Sequence, residues 1–102
     1  MRFTYRRHIG VVGFLLISLA AVLYAQTTNV MGTITLKNNK PAVRVLVVIA
    51  GKSSITDIGG RYRIDQVPVG RQKMEIRQGN KVLLTAEVEV AKSGGTINKT
   101  LP

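Results

Sequence analysis

From Thr28 onward, apolar and polar residues alternate, and turn-forming residues break the alternation at short intervals. Val30, Gly32, Ile34 and Leu36 alternate with Met31, Thr33, Thr35 and Lys37, the period of two expected of a half-buried strand. Asn38-Asn39-Lys40-Pro41 predicts a turn, because Asn tolerates left-handed backbone and Pro cannot continue a ladder. Residues 43–50 are the most β-prone stretch, with Val43, Val45, Val47 and Ile49 predicted inward and Arg44, Leu46, Val48 and Ala50 outward. A short strand over 54–56, a turn over 57–60 and a strand over 61–64 follow, the last with Tyr62 and Ile64 on one face.

Val67-Pro68-Val69-Gly70 predicts another break. Gln72, Met74 and Ile76 then alternate with Lys73, Glu75 and Arg77, and Gly79-Asn80 supplies a tight hairpin. Beyond it, Val82, Leu84, Ala86, Val88 and Val90 are predicted inward against Lys81, Leu83, Thr85, Glu87 and Glu89. Ser93-Gly94-Gly95 makes the last turn and residues 96–101 the last strand, with Ile97 and Leu101 inward. No stretch after residue 26 has a helical period. Seven short strands with turn signals roughly every eight to twelve residues predict an all-β sandwich or barrel.

The first 25 residues follow a different logic. Arg2, Arg6 and Arg7 precede an uncharged apolar run from Ile9 to Ala25, the basic and hydrophobic regions of a secretory signal with a small residue at the cut. Cleavage after Ala25 is expected, leaving a domain over 26–102 that is exported, periplasmic or secreted. The alternative is an uncleaved N-terminal anchor over residues 9–25, the chain's only expected contact with a membrane. Arg2, Arg6 and Arg7 then belong to targeting, and without them the formal charge falls from +10 to +7.

Composition narrows the chemistry. The 102 residues contain no Cys and one His, and that His8 lies in the leader. Disulfide frameworks and Cys-ligated metal sites are excluded. Residues 26–102 hold neither Cys nor His, the side chains most used for catalysis near neutral pH. No catalytic, cofactor or metal residue is assigned and no enzyme is expected. Gly51-Lys52-Ser53 lacks the earlier glycine and the following helix of a phosphate-binding loop. Lys37 and Asn98 fall on outward strand positions, which argues against an isopeptide cross-link between them.

The stretch Thr56-Asp57-Ile58-Gly59-Gly60-Arg61-Tyr62-Arg63-Ile64, followed by Val67-Pro68-Val69-Gly70, carries the most specific pattern. Asp57 can accept from the amide two residues on, Gly60 can take positive φ at the reversal, and Tyr62 and Ile64 re-enter the core. Together with Gly32-Thr33-Ile34 and Pro41-Ala42-Val43, these residues resemble the carboxypeptidase regulatory-like domain, related to transthyretin-like and carbohydrate-binding-like sandwiches. The resemblance implies a seven-stranded Greek-key β-sandwich of transthyretin type, exported and non-catalytic. In it Thr56, Asp57, Gly60, Tyr62, Pro68 and Gly70 are structural turn residues, and the domain serves as an accessory module.

Two surfaces are candidate binding sites. Arg44, Arg61, Arg63, Lys73 and Arg77 share outward parity and could form a basic face for a glycan or other polyanion. The bland reading is solvated charge that protects strand edges. No aromatic series accompanies these cations, so nucleic acid is not expected. Leu46, Val48 and Leu83 oppose the inward sets of their strands and form a candidate interaction stripe for an exported protein or cell-envelope partner.

Overall fold

The computed structural model describes residues 26–102. The leader, read above as signal or anchor, lies outside them. Eight strands follow one another: β1 (Thr27–Thr35), β2 (Leu46–Ile49), β3 (Lys52–Ile55), β4 (Arg61–Pro68), β5 (Gly70–Gln78), β6 (Lys81–Val90), β7 (Gly95–Thr96) and β8 (Lys99–Thr100). The predicted last strand is thus split into β7 and β8, both parallel to β1. One sheet places β1 between β4 and the β7–β8 pieces; the other runs β3-β2-β5-β6.

The two sheets enclose an aliphatic core. Val30, Ile34, Val47, Ile49, Val67, Met74 and Ile76 are essentially inaccessible, and Tyr62, Ile64, Val88, Val90 and Leu101 are buried with them. Each fully buried aliphatic side chain contributes about 1.5–3 kcal/mol of transfer free energy. With no cysteine in the chain, these contacts hold the sandwich together without any disulfide.

Departures from simple alternation have local causes. Residues 43–50 do not form one strand: Val43 and Arg44 make a turn, with Arg44 at φ 57°, and β2 begins at Leu46. Buried Thr56 holds that turn. Its hydroxyl accepts from Val45 N at 3.0 Å and donates to Ala42 O at 2.6 Å, while Arg44 N donates to Thr56 O. Val43, predicted inward, is therefore exposed. Leu36 also leaves its strand, because its amide donates to Lys40 O and closes the loop with Asn39 in left-handed backbone.

Two β-bulges shift parity. On β4, Asp65 and Gln66 both fall between the Ile64–Val30 and Val67–Thr28 pairs, and Gln66 takes φ 56°. The extra residue lets Ile64 and Val67, three apart, both face inward, so β4 runs on through the predicted break. Pro68 sits at the end of this edge strand, where its missing amide costs nothing. On β6, Ile76 pairs with Leu84 and Arg77 with Val82, which leaves Leu83 as the extra residue. Val82 turns to solvent, and Leu83 and Leu84 both pack against the core. The predicted facing of Val82 and Leu83 is reversed.

The turns obey their chemistry. Ala50 and Gly51, both at positive φ, link β2 to β3 as a two-residue type I′ hairpin, and Gly79 opens the Gly79-Asn80 hairpin at φ 60°. Val69 alone separates β4 from β5 as the chain crosses from one sheet to the other.

Candidate functional site

The Thr56–Ile64 stretch is built from short hydrogen bonds. Asp57 Oδ1 accepts from the amides of Gly59 and Arg61, each at 2.9 Å, and Gly60 N donates to Asp57 O. The Arg61 amide, the Gly59 amide and the Arg61 guanidinium hold the Asp57 carboxyl below the usual carboxylate range. Gly60, at φ 74°, donates no side chain to a tight spot: a Cβ there would strike the Ile34 carbonyl oxygen. Tyr62 is buried beneath, and its hydroxyl donates to Ile97 O. Burial pushes its pKa up to about 12. These are framework roles. The side chains of Ile58 at the tip and Ile55 at the foot of the turn are largely exposed.

The five predicted polyanion residues do not come together. Arg61 and Arg63 stand on β4, on the outer face of one sheet; Lys73 and Arg77 stand on β5, on the outer face of the other. Arg44 lies in the turn before β2. Four of the five are already paired: Arg61 with Asp57, Arg63 with Asp65, and both Lys73 and Arg77 with Glu75. Lys73 Nζ and Arg77 Nη2 lie 3.0 and 2.6 Å from Glu75, whose carboxyl they hold below its usual range. Shared outward parity misleads here because a sandwich has two outer faces, and parity does not say which one.

The apolar stripe is altered in one member. On the β3-β2-β5-β6 sheet, register places Ile55, Leu46, Arg77 and Val82 in one row across four strands, with Ser53, Val48, Glu75 and Thr85 in the next. Leu46 and Val48 are half-buried, and Ile55 and Val82 are exposed. Leu83 belongs to the core side because of the β6 bulge, and Val82 takes its place on the outer face. Sequence reasoning missed Ile55 and Val82. Nothing local marks Val82, since the bulge that exposes it is a property of the β5–β6 register. The arrangement is a mixed patch in which the Lys73–Glu75–Arg77 cluster crosses an apolar sheet face.

A two-sheet, all-β sandwich with an apolar and charged outer face is the class this structure defines. No protein-family model and no curated protein sequence matches the chain. Among solved structures, it resembles a chain of the C-terminal interface mutant of a type II cohesin-X-dockerin complex from Acetivibrio cellulolyticus. That alignment has 23% identity and a TM-score of 0.56 over 72% of this chain and 56% of that one. The N-terminal interface mutant of the same complex aligns at 24% identity with the same score and coverage. The Caf1A usher C-terminal domain, whose surface hydrophobic clusters are described as important for F1 antigen assembly, aligns at 16% identity and TM-score 0.48 over 71% of this chain and 91% of that one. The chain spans little more than half the length of the cohesin-complex chains it matches. The likeness to these is one of fold.

Proposed function

We propose that this chain is an exported, non-catalytic protein-interaction module of the carboxypeptidase regulatory-like type. The observation that carries the reading is the outer face of the β3-β2-β5-β6 sheet, where Leu46 and Val82 flank Arg77, Val48 adjoins Glu75 and Ile55 extends the row beyond Leu46, beside the Lys73–Glu75–Arg77 cluster. Apolar groups beside a pre-paired charge cluster offer buried contact together with directional polar recognition, and an exposed apolar patch rimmed by polar residues is the kind of surface that marks an interaction site. The order of Thr56-Asp57, Gly60, Tyr62, Pro68 and Gly70 on a sandwich supports the family reading. The leader's composition supports export. A complex of cohesin and dockerin is an assembly of proteins, which fits a module whose work is binding.

The test is affinity capture from an envelope extract with the full chain as bait, comparing wild type with Leu46→Lys and Ile55→Lys. A partner retained at high salt by the wild type and lost from both variants is expected. Equal capture by all three baits at equal folding would sink the reading.

A further inference from the structure

All five carboxylate side chains of the protein lie in residues 26–102, and four are engaged by Arg61, Arg63, Arg71, Lys73 and Arg77. The other basic residues of 26–102 make no ion pair with a carboxylate side chain. Several gather at one end of the sandwich: Lys37 and Lys40 in the loop after β1, Lys81 at the β5–β6 hairpin, and Lys99 on β8 beside Ile34. At that end lies a groove of about 680 Å³. Its apolar lining is Leu36, Val82, Leu83, Leu101 and Pro102, Asn38 and Gln78 add amides, and its cations are Lys37 and Lys81; no carboxylate side chain lines it. The two departures from alternation create it, since the closed 36–40 loop turns Leu36 outward and the β6 bulge frees Val82.

We propose that this groove binds a soluble amphiphilic anion, a single alkyl chain with a carboxylate head, with the chain on Leu36, Val82, Leu83 and Leu101 and the head held by Lys37 and Lys81. Charge complementarity selects the occupant. Two ammonium groups that make no ion pair with a carboxylate side chain border an apolar surface, so an apolar ligand with a negative head can be held by both. The protein's own apolar leader is a poor occupant, because its flanking charges are Arg2, Arg6 and Arg7. A volume of this order suits a small ligand such as a free amphiphile. The site is independent of the protein-interaction face apart from Val82, which borders both.

The test is a titration of the full chain with decanoate below its micellar concentration, read by methyl NMR. Saturable shifts at Leu36, Val82, Leu83 and Leu101 are expected, weakening as salt rises. Decyltrimethylammonium, with the same tail and opposite head, should give no saturable shifts. A Lys37→Glu, Lys81→Glu double variant and a separate Leu36→Gln variant should each weaken decanoate at least tenfold without moving the melting curve. Equal binding of the cationic amphiphile overturns the proposal, as do shifts centred on Leu46, Val48 and Ile55. So does an absence of saturation in wild type, or stable binding to phosphatidylglycerol vesicles that decanoate does not displace. Loss of protein capture in Leu46→Lys with decanoate binding intact would separate this site from the interaction face.

Discussion

The Tyr62 hydroxyl donates to the carbonyl oxygen of Ile97 at 2.7 Å, across the space that Gly32 leaves open between them. One hydrogen bond thereby ties edge strand β4 to the linker between β7 and β8 over the intervening strand β1. Ile97 N in turn donates to Met31 O.

Tyr62→Phe removes the donor and leaves a carbonyl short of a partner, a loss of about 1–3 kcal/mol. The pH dependence is the sharper measurement. Folding raises the Tyr62 pKa from about 10 to about 12, so the folded state retains a proton that the unfolded chain releases. Stability is therefore full below about pH 10 and falls as pH rises toward 12, by about 2–3 kcal/mol in all. Urea midpoints for wild type and Tyr62→Phe should converge over that window. Parallel curves would show that Tyr62 titrates ordinarily.

Gly32→Ala places a methyl group against the Ile97 carbonyl, which is backbone and cannot step aside cheaply. The expected outcome is loss of β7–β8 docking and a cost at the severe end for single substitutions, above about 4 kcal/mol. Gly60→Ala adds a collision with Ile34 O to a φ of 74° and should cost about 1–3 kcal/mol or more. Gly79→Ala, in open space at φ 60°, is the control that carries backbone strain alone. Thermal melts rank the three.

Thr56→Val preserves shape and deletes the buried hydroxyl that joins Val45 N to Ala42 O. Two buried backbone groups lose a partner, and a destabilisation of about 1–3 kcal/mol or more is expected. Amide exchange should quicken first at Val45. Thr56→Ser, which keeps the hydroxyl, should recover most of the loss.

Val82→Asp and Leu83→Asp test the β6 bulge directly. With Val82 exposed and Leu83 packed against the core, the first should stay within about 0.5 kcal/mol of wild type and the second should destabilise by several-fold more. Strict alternation demands the opposite order, so the pair of melting curves separates the two registers. Val47→Asp, at a fully buried position, should not fold at all.

Period-two alternation is enough to place Val30, Ile34, Val47, Ile49, Tyr62, Ile64, Met74, Ile76, Val88 and Val90 in the core, because each lies on a strand segment with uninterrupted register. Gly79-Asn80 is equally readable, since a two-residue hairpin asks for Gly locally. Alternation misplaces Val43, Leu36 and Val82 because each sits beside a turn or bulge: Lys40 closes the loop at Leu36 locally, whereas the turn at Val43 and the bulge at Val82 are set by partners on other segments. Thr56 pulls residues 42–45 out of the strand from 11 residues away, and no property of Val43 announces it. The charged surface fails in a related way. Alternation shows that Arg61 and Lys73 both point outward, but only the sheet order shows that they point in opposite directions. Asp57, Asp65 and Glu75 complete the picture by engaging neighbours two to four residues away, pairings that register and turn geometry bring within reach.

The position of β1 also sets a timetable. Its partners are β4, closed through the Met31–Arg63 and Gly32–Tyr62 pairs, and β7–β8, which reach Thr33 and Thr35 from 65 residues downstream. Contacts of such long separation are slow to form, because the loop entropy is lost before the pairing energy is gained. The β5–β6 hairpin can assemble locally, whereas the sheet around β1 cannot close until residues 95–100 have arrived. A chain threaded through a membrane from its N-terminus would thus carry its first strand paired on the β4 edge alone until residues 95–100 emerged. That sheet would close late, with residues 95–100 its final piece.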